Sequence, residues 1–349
     1  RDRKLGEMVD QVVPAAELLK HMEWVRRYHS KKPTAALAFE TALLVGIRHA
    51  PYLHYLAIHR YRESRSAGEG RSFDSLYREH RMRKRRGGGI RVLRIPDRGL
   101  KYLQRKLLDR AFSKMDLPEA VHGFRRGHNL VTNATPHAGK EIVVNADIRD
   151  FFPNTSRNAV FLVSLGLAGG MISAQAAGFV ADICCQDGVL PTGSPSSPVI
   201  ANLVLSRVDK SLQSACDAKG VSYTRYADDL TFSGGFEAVR MLGFATRLLE
   251  QEGYNIHPRK VNIFRRGRRQ MVTGLAVNER PTLPRAIRRG IRAVVHAAAN
   301  GRHVNWKGVE ASPQVVHGLI AHLAMTRPEE ARSHRKTLRD TGYFKGRVA

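Results

Sequence analysis

The stretch YTRYADDLTF, residues 223–232, places Asp228 and Asp229 side by side between runs of strand-forming residues. This pattern predicts two short strands joined by an acidic turn. Neighbouring side chains of a regular strand point to opposite faces, whereas a turn breaks that alternation and lets one or both carboxylates converge on one point. Carboxylates that close repel each other unless a divalent cation lies between them. The stretch alone fits an ordinary solvated turn equally well, because Asp is common in turns.

A second acidic position favours the metal-binding interpretation. The segment EIVVNAD, residues 141–147, is typical of a buried strand and ends in Asp147, which by itself would be interpreted as a helix N-cap. Two carboxylate positions at strand ends of one sheet would hold two Mg²⁺ ions, or Mn²⁺ in their place, about 3.5–4 Å apart. Because such a site serves in-line phosphoryl transfer, the sequence predicts nucleotidyl transfer with these ions as cofactors.

The composition agrees with a nucleic-acid substrate. The 349 residues include 58 Lys and Arg against 31 Asp and Glu, a formal net charge of +27, which favours a polyanionic partner. The three cysteines have no CxxC spacing, which disfavours a disulfide framework and a zinc ribbon. No apolar segment follows the opening RDRK, so we expect a cytoplasmic protein rather than a secreted one. The uncharged stretch 158–181 contains several glycines and polar residues and predicts a buried helical pair, not a membrane span.

The order of elements predicts an α+β fold, with helices before and after a small antiparallel sheet. We expect amphipathic helices over about residues 1–60. The basic run at 81–86 fits either a solvated linker or a phosphate-contacting loop. The other predicted elements are a strand at 90–96, a helix capped by Asp97, a helical stripe at 239–249 and helices that begin near Pro284 and Pro313.

Three motifs in this order resemble those of reverse transcriptases. YADD, residues 226–229, resembles the YxDD box, and VVNADIRDFFP, residues 143–153, resembles the first aspartate motif. LPTGSPSSP, residues 190–198, is similar to the LPQGxxxSP motif between them, with Thr192 where many members carry Gln. Two shorter matches narrow the resemblance to retron reverse transcriptases: NATPH, residues 133–137, is similar to their NAxxH signature, and residues 272–274 are similar to their VTG triplet.

The resemblance implies a right-hand polymerase of fingers, palm and thumb with a helical N-terminal region. The expected boundaries are 1–85 for the N-terminal region, 86–140 for the fingers together with part of 153–200, 141–280 for the palm and 281–349 for the helical thumb. It also implies an RNA-directed DNA polymerase that uses dNTPs to copy a structured noncoding RNA. Synthesis would begin at the 2′-hydroxyl of a guanosine and leave a branched RNA-linked single-stranded DNA, termed msDNA.

Further partners follow from the same resemblance. The family takes part in anti-phage defence with a separate or fused effector protein, and the RNA template would be removed by a host ribonuclease H. No membrane partner is implied. Group II intron and diversity-generating reverse transcriptases remain as enzyme alternatives, and a noncatalytic RNA-binding scaffold for an effector is the alternative from another class.

Site residues are carried over by position. Asp147, Asp228 and Asp229 would be the catalytic carboxylates and metal ligands, with the backbone carbonyl of Ile148 as a further ligand. By the resemblance, Asp147 and Asp228 would bridge the metals. The nucleotide would be bound by Arg91, Arg94, Phe152 as the gate against a ribose 2′-hydroxyl, Thr192, Gly193 and Lys260. RNA or template–primer contacts would be made by Asn133, His137, Val272, Thr273, Gly274, Arg285, Arg288 and Arg289.

Overall fold

A computed structural model describes isolated positions between Leu37 and Ala57 and then residues 73–83, 89–170 and 172–343. Most of the predicted N-terminal helical region, and positions 84–86 of the basic run, lie outside the described residues.

The described elements are strands and helices in an α+β arrangement, as predicted. The strands are β1 (Tyr77–Arg83), β2 (Ile90–Pro96), β3 (Ile142–Asp147), β4 (Ser222–Tyr226), β5 (Asp229–Gly234), β6 (Asn262–Arg265), β7 (Met271–Val272), β8 (Leu275–Ala276), β9 (Asn305–Trp306) and β10 (Val309–Glu310). The helices are α1 (Arg98–Arg110), α2 (Leu130–Ala134), α3 (Arg157–Leu165), α4 (Ala174–Cys184), α5 (Ser197–Val204), α6 (Ser206–Asp217), α7 (Glu237–Gln251), α8 (Arg285–Ala299), α9 (Pro313–Ala324) and α10 (Pro328–Asp340).

The chain divides into two compact units, and the first comprises Arg1–Pro118, Arg149–Lys210 and Glu250–Tyr254. In this unit β1 and β2 pair as an antiparallel ribbon, and helices α1 and α3 pack on α4. Gln104 of α1 is fully buried, where its Nε2 donates to the carbonyl oxygen of Ile183 at 2.8 Å and its Oε1 accepts from Ser194 at 2.8 Å. The LPTGSPSSP segment is therefore anchored to the helices of its own unit.

The second unit comprises Glu119–Ile148, Ser211–Leu249 and Asn255–Ala349. Its centre is an antiparallel sheet with the strand order β4-β5-β3-β6. Helices α8, α9 and α10 share a hydrophobic core with the β7–β8 hairpin, to which Val272, Leu283, Ile291 and Ile320 contribute. The sheet positions the acidic turn between β4 and β5 beside the end of β3.

Several local predictions are confirmed with their physical cause. Asp97 caps α1 by accepting a hydrogen bond from the Leu100 backbone nitrogen at 2.6 Å. The uncharged stretch forms the helical pair α3 and α4, and α4 is buried along most of its length. Among the described residues, no helix combines the length and the apolar character needed to cross a bilayer.

β1 and α10 are among the elements that were not predicted from the sequence. β1 has the composition YREHRMR, which lacks the alternation of a half-buried strand, and it forms by pairing with β2 over Tyr77–Arg83. α10 is strongly polar and buries only Ala331 and Leu338 against its neighbours. In both cases tertiary partners supply the stability that the local sequence does not indicate.

Candidate active site

The acidic turn joins β4 to β5. Tyr226 pairs with Asp229 in the antiparallel register, so Ala227 and Asp228 form a two-residue loop. Ala227 has a φ of 60°, in the left-handed region that residues with a Cβ rarely adopt. Because that conformation is unfavourable for alanine, the surrounding structure must enforce it.

Two residues outside the YADD motif contact this turn and hold its backbone in position. The Arg225 side chain is completely buried, and its Nη1 donates to the carbonyl oxygen of Ala227 at 2.9 Å. Gly123 lies so close that a Cβ built on it would be 2.3 Å from the backbone nitrogen of Ala227. Only glycine therefore fits at position 123 without moving the turn.

Asp147 ends β3 directly opposite the turn. It is the register partner of Asp229 across β3 and β5, and its Oδ1 accepts a hydrogen bond from Nζ of Lys260 at 2.6 Å. The backbone nitrogen of Ile148 donates to the carbonyl oxygen of Asp228 at 2.8 Å. The first aspartate motif and the YADD turn are therefore joined by backbone pairing.

A cavity of about 360 Å³ lies at this edge of the sheet. Its wall includes Asp147 and Asp229 together with the basic residues Arg259 and Lys260. Asp228 is not part of this wall, although the resemblance pairs Asp147 with Asp228 as the bridging ligands. The structure thus brings two of the three expected carboxylates to one cavity and leaves the third in the turn beside it.

The charges of the site act most strongly on Asp229. The pKa of its carboxyl is raised to about 6, first by desolvation, then by the negative charges of Asp228 and Asp147, while Lys260 lowers it. Asp229 keeps one side open to solvent, so the desolvation is that of a carboxylate in a concave wall rather than in an interior. One lysine thus leaves part of the repulsion between the carboxylates uncompensated.

The donor set fits a divalent cation that takes few protein ligands. Asp147 and Asp229 offer hard oxygen ligands, and the Lys260 ammonium on Asp147 shows that this carboxylate attracts a cation. Within the described part of the chain, no group of three or more His, Cys, Asp or Glu side chains converges closely enough to hold a metal alone. Magnesium suits a site with so few protein ligands, because it keeps several waters and uses substrate phosphates as further ligands.

The NATPH segment directs Asn133 and His137 into the interior of the second unit, while Thr135 and Pro136 are exposed. Asn133 and His137 are fully buried, and the two ring nitrogens of His137 bond to the hydroxyls of Ser233 at 2.7 Å and Thr224 at 2.8 Å. Burial, followed by the charges of His122 and Lys140, lowers the pKa of His137 to about 3. The ring is therefore neutral and ties strands β4 and β5 to this segment, and the hydroxyl groups of Ser233 and Thr224 occupy both of its nitrogens.

The VTG triplet connects this interior to the cavity. Val272 is buried, whereas Thr273 and Gly274 line the cavity. Asn133 Nδ2 donates to the Thr273 hydroxyl at 3.4 Å, and Thr273 has a φ of 44°, which is unusual for a β-branched residue. The two retron-like motifs thus meet beside the carboxylates, with only the end of the VTG triplet open to a ligand.

The predicted nucleotide-binding arginines differ in their surroundings within the first unit. Arg91 is exposed in β2, while Arg94 forms an ion pair with Asp187 at 3.0 Å. An offset of three residues along a strand places the two side chains on opposite faces of the ribbon. Of these two arginines, Arg91 is the exposed one, whereas the guanidinium of Arg94 is paired with Asp187.

Of the other predicted nucleotide-binding residues of this unit, Thr192 and Gly193 contact the β2 backbone and Phe152 lies beside an aromatic ring. The Arg94 nitrogen donates to the carbonyl oxygen of Thr192 at 2.7 Å, and a Cβ on Gly193 would lie 2.7 Å from the carbonyl oxygen of Arg94. Phe152 is half-buried, with its ring centroid 5.4 Å from that of Phe151. Residues Thr192 and Gly193 are therefore fixed against β2.

The basic face predicted for α8 is only partly exposed. Arg285 and Arg289, four residues apart, are exposed together with Arg292. Arg288 is half-buried and its Nε atom is enclosed. The exposed arginine row on this helix is therefore formed by Arg285, Arg289 and Arg292.

Sequence reasoning missed Gly123, Arg225 and Asn145. Gly123 and Arg225 shape the turn, and Asn145 lines the cavity two residues before Asp147. For Asn145 the signal was a polar residue within a strand of apolar residues. For Gly123 nothing in the neighbouring sequence distinguishes a glycine that lies against another backbone segment from an ordinary loop glycine.

Comparison with known proteins gives one consistent result. Residues 82–278 match the family model described as Reverse transcriptase (RNA-dependent DNA polymerase). The chain is 35% identical to the Retron Mx65 reverse transcriptase of Myxococcus xanthus, over 79% of this chain and 70% of that protein. It is 32% identical to the Retron Mx162 reverse transcriptase of Myxococcus xanthus, over 71% of this chain and 58% of that protein. It is 31% identical to the Retron Ec86 reverse transcriptase of Escherichia coli, over 71% of this chain and 75% of that protein.

Proposed function

The chain belongs to the reverse transcriptase family, within its retron type, and we propose that it copies a structured noncoding RNA into branched, RNA-linked single-stranded DNA. It is accordingly an RNA-directed DNA polymerase. The substrates would be dNTPs, and the primer would be the 2′-hydroxyl of a guanosine within the noncoding RNA.

One observation carries this proposal: Asp147 and Asp229 are register partners in the wall of a single cavity that also contains Lys260. A nucleotidyl transferase needs carboxylates at the reacting phosphate and a cation near the leaving group. The proposal assigns both to this cavity.

The carboxylates would act through divalent ions. Two Mg²⁺ ions, or Mn²⁺, held by Asp147, Asp228, Asp229 and the carbonyl of Ile148 would lower the pKa of the attacking hydroxyl and neutralise charge on the departing pyrophosphate. Lys260 would interact with the pyrophosphate, because its side chain is 54% exposed and can turn from Asp147 toward a phosphate.

The incoming nucleotide would be gripped by residues of the first unit. Arg91 would bond the triphosphate with its forked guanidinium, with Arg94 in a supporting role through β2. Thr192 and Gly193 would lie beside the nucleotide, and Phe152 would exclude a ribose 2′-hydroxyl.

Template and primer contacts would be shared between motifs. Thr273 and Gly274 would contact the primer end, and the exposed Arg285 and Arg289 would follow the phosphate backbone of the duplex, with the half-buried Arg288 supporting them from within the helix face. For Asn133, His137 and Val272 we propose support of the site from the interior, because their side chains are buried.

The remaining proposals concern organisation and setting. We keep the boundaries 1–85, 86–140 with part of 153–200, 141–280 and 281–349 for the N-terminal region, fingers, palm and thumb. The protein would act in the cytoplasm in anti-phage defence, with an effector protein, and a host ribonuclease H would remove the copied RNA.

The test uses the chain expressed together with its noncoding RNA. Copurified nucleic acid is treated with ribonuclease and then analysed for a single-stranded DNA that retains a short RNA branch. We expect this product from the wild type and from Asp150→Asn, an exposed control, and RNA alone from Asp228→Asn. RNA without DNA in the wild type would contradict the proposal.

A further inference from the structure

The turn that carries Phe152 is fixed by one buried threonine. Thr155 is fully buried, and its backbone nitrogen donates to the carbonyl oxygen of Phe152 at 3.0 Å, while its hydroxyl donates to the carbonyl oxygen of Phe151 at 2.9 Å. These two carbonyls belong to the peptide units on either side of the Phe152 Cα. Because each peptide unit is planar, holding both units sets the φ and ψ of Phe152 and hence the direction in which its side chain leaves the backbone.

Thr155 is itself held by Tyr254. Their hydroxyl oxygens lie 2.8 Å apart, and Tyr254 is only 1% exposed. A carbonyl oxygen can only accept and each hydroxyl has one hydrogen, so the Thr155 hydrogen goes to Phe151 and the Tyr254 hydroxyl is the donor to Thr155. The result is a directed chain of hydrogen bonds from Tyr254 through Thr155 to the backbone beside Phe152. Bonds in such a buried chain polarise and strengthen one another.

The Tyr254 ring contacts the same turn. Its centroid lies 6.1 Å from that of the buried Phe151 ring, and the Phe151 centroid lies 5.4 Å from that of Phe152. Phe152 is only half-buried, so its ring can change rotamer unless its neighbours prevent this. Tyr254 therefore acts on Phe152 in two ways, through the ring of Phe151 and through the backbone bonds of Thr155. All four residues belong to the first unit.

We propose that Tyr254 and Thr155 are positioning residues for sugar selection, which hold Phe152 in the orientation that excludes a ribose 2′-hydroxyl. This inference rests on the proposed function, in which Phe152 is the gate. Both residues are enclosed by the protein, so they act on the nucleotide only through Phe152. A clash rejects a substrate only as firmly as the clashing side chain is held, because a mobile ring moves aside for the extra hydroxyl.

The test measures kcat/KM for a dNTP and for the matching rNTP on one RNA template and takes the ratio of the two. Tyr254→Phe removes the donor hydroxyl and keeps the ring, so we expect the ratio to fall roughly three- to tenfold, the range of one buried hydrogen bond. The fall comes from a higher kcat/KM for the rNTP, because the dNTP has no 2′-hydroxyl to be excluded. Phe152→Ala removes the gate itself and should lower the ratio further.

A second pair of variants tests the middle of the chain. Thr155→Val removes the hydroxyl from both of its bonds and should lower the ratio at least as much as Tyr254→Phe, whereas Thr155→Ser retains a hydroxyl and should keep the wild-type ratio. Ser164→Ala is the matched control, because the Ser164 hydroxyl is also buried in the first unit and donates to the carbonyl oxygen of Val160 at 2.8 Å. Its loss removes a comparable bond within α3 and should leave the ratio as in the wild type.

The ratio separates positioning from structural damage. A variant that only destabilises the protein lowers kcat/KM for both nucleotides alike and keeps the ratio. That result in Tyr254→Phe and Thr155→Val, together with a lower ratio in Phe152→Ala, would overturn the positioning role and leave the gate in place. An equal fall in Ser164→Ala would overturn it as well. A wild-type ratio in Phe152→Ala would instead contradict the gate, which is a failure of the proposed function and is recognised by that variant alone.

Discussion

The β4–β5 hairpin and the β1–β2 ribbon are both pairs of antiparallel strands, yet they are built in opposite ways. Seven of the eleven residues of β4 and β5 are buried, whereas six of the seven residues of β1 are exposed. The hairpin carries the carboxylates and the ribbon carries Arg91. The difference indicates that the acids are oriented by the fold before substrate binds, while the triphosphate contact proposed for Arg91 would be completed only when the substrate binds. Changes in the hairpin should therefore lower kcat, and changes in the ribbon should raise KM.

The largest effect is expected at the end of β3. Asp147→Asn removes a charge that faces Asp229 and should lower kcat by about 10³-fold, because charge stabilisation in a preorganised site is a large part of catalysis. Primer extension on an RNA template measures this loss. Asp150→Asn, an exposed neighbour, is the control and should keep wild-type activity. Near-normal activity of Asp147→Asn would remove the cavity from the mechanism.

The next effect tests whether the turn is positioned by its neighbours. Gly123→Ala places a Cβ where the Ala227 nitrogen lies, so the turn must move, and we expect kcat to fall by about 10²-fold with little change in KM. Gly267→Ala, which has open space around its Cβ position, should behave as the wild type. If Gly123→Ala is fully active, the hairpin is not the rigid element that the comparison requires.

A third effect is the pH dependence of the free energy of unfolding, which arises from His137 packed against the buried side of the hairpin. His137 has a folded-state pKa of about 3 against 6.5 for the free side chain, so the unfolded chain binds a proton that the folded chain does not. Stability is therefore complete above pH 6.5 and falls as the pH drops toward 3. The loss from His137 between pH 7 and pH 5 is about 2 kcal/mol in the free energy of unfolding.

Denaturant unfolding at the two pH values measures this loss. His137→Gln should reduce the difference between pH 7 and pH 5 by about the same 2 kcal/mol. His80→Gln, in the exposed strand β1, should leave the difference as in the wild type. An unchanged pH dependence in His137→Gln would mean that the ring is not held in the interior.

The smallest effect is expected on the ribbon. Arg91→Ala should raise the KM for dNTP roughly tenfold at nearly constant kcat, since a charge-assisted contact to phosphate is lost. Arg94→Ala, on the other face and paired with Asp187, should change KM less. Steady-state kinetics with varied dNTP measures both variants. Equal effects of the two substitutions would show that both faces of the ribbon meet the nucleotide.

Features of the fold and site that depend on residues close together in sequence could be predicted, and features that depend on distant residues could not. The acidic hairpin, the strand before Asp147 and the cap of α1 were readable because each depends on a few consecutive residues. β1 was not, because its strand forms only by pairing with β2. The burial of His137 was not readable either, since its partners Thr224 and Ser233 are distant in sequence.

The sequence by itself was enough to identify the family, the positions of the three aspartates and the order of the motifs, because each of these depends on a short run of consecutive residues. Only the tertiary structure decided that Asp229 rather than Asp228 lines the cavity with Asp147, and that Gly123 and Arg225 shape the turn. The physical reason is that register and packing join residues far apart along the chain, and a polar atom is satisfied or left unpaired only by what is packed against it.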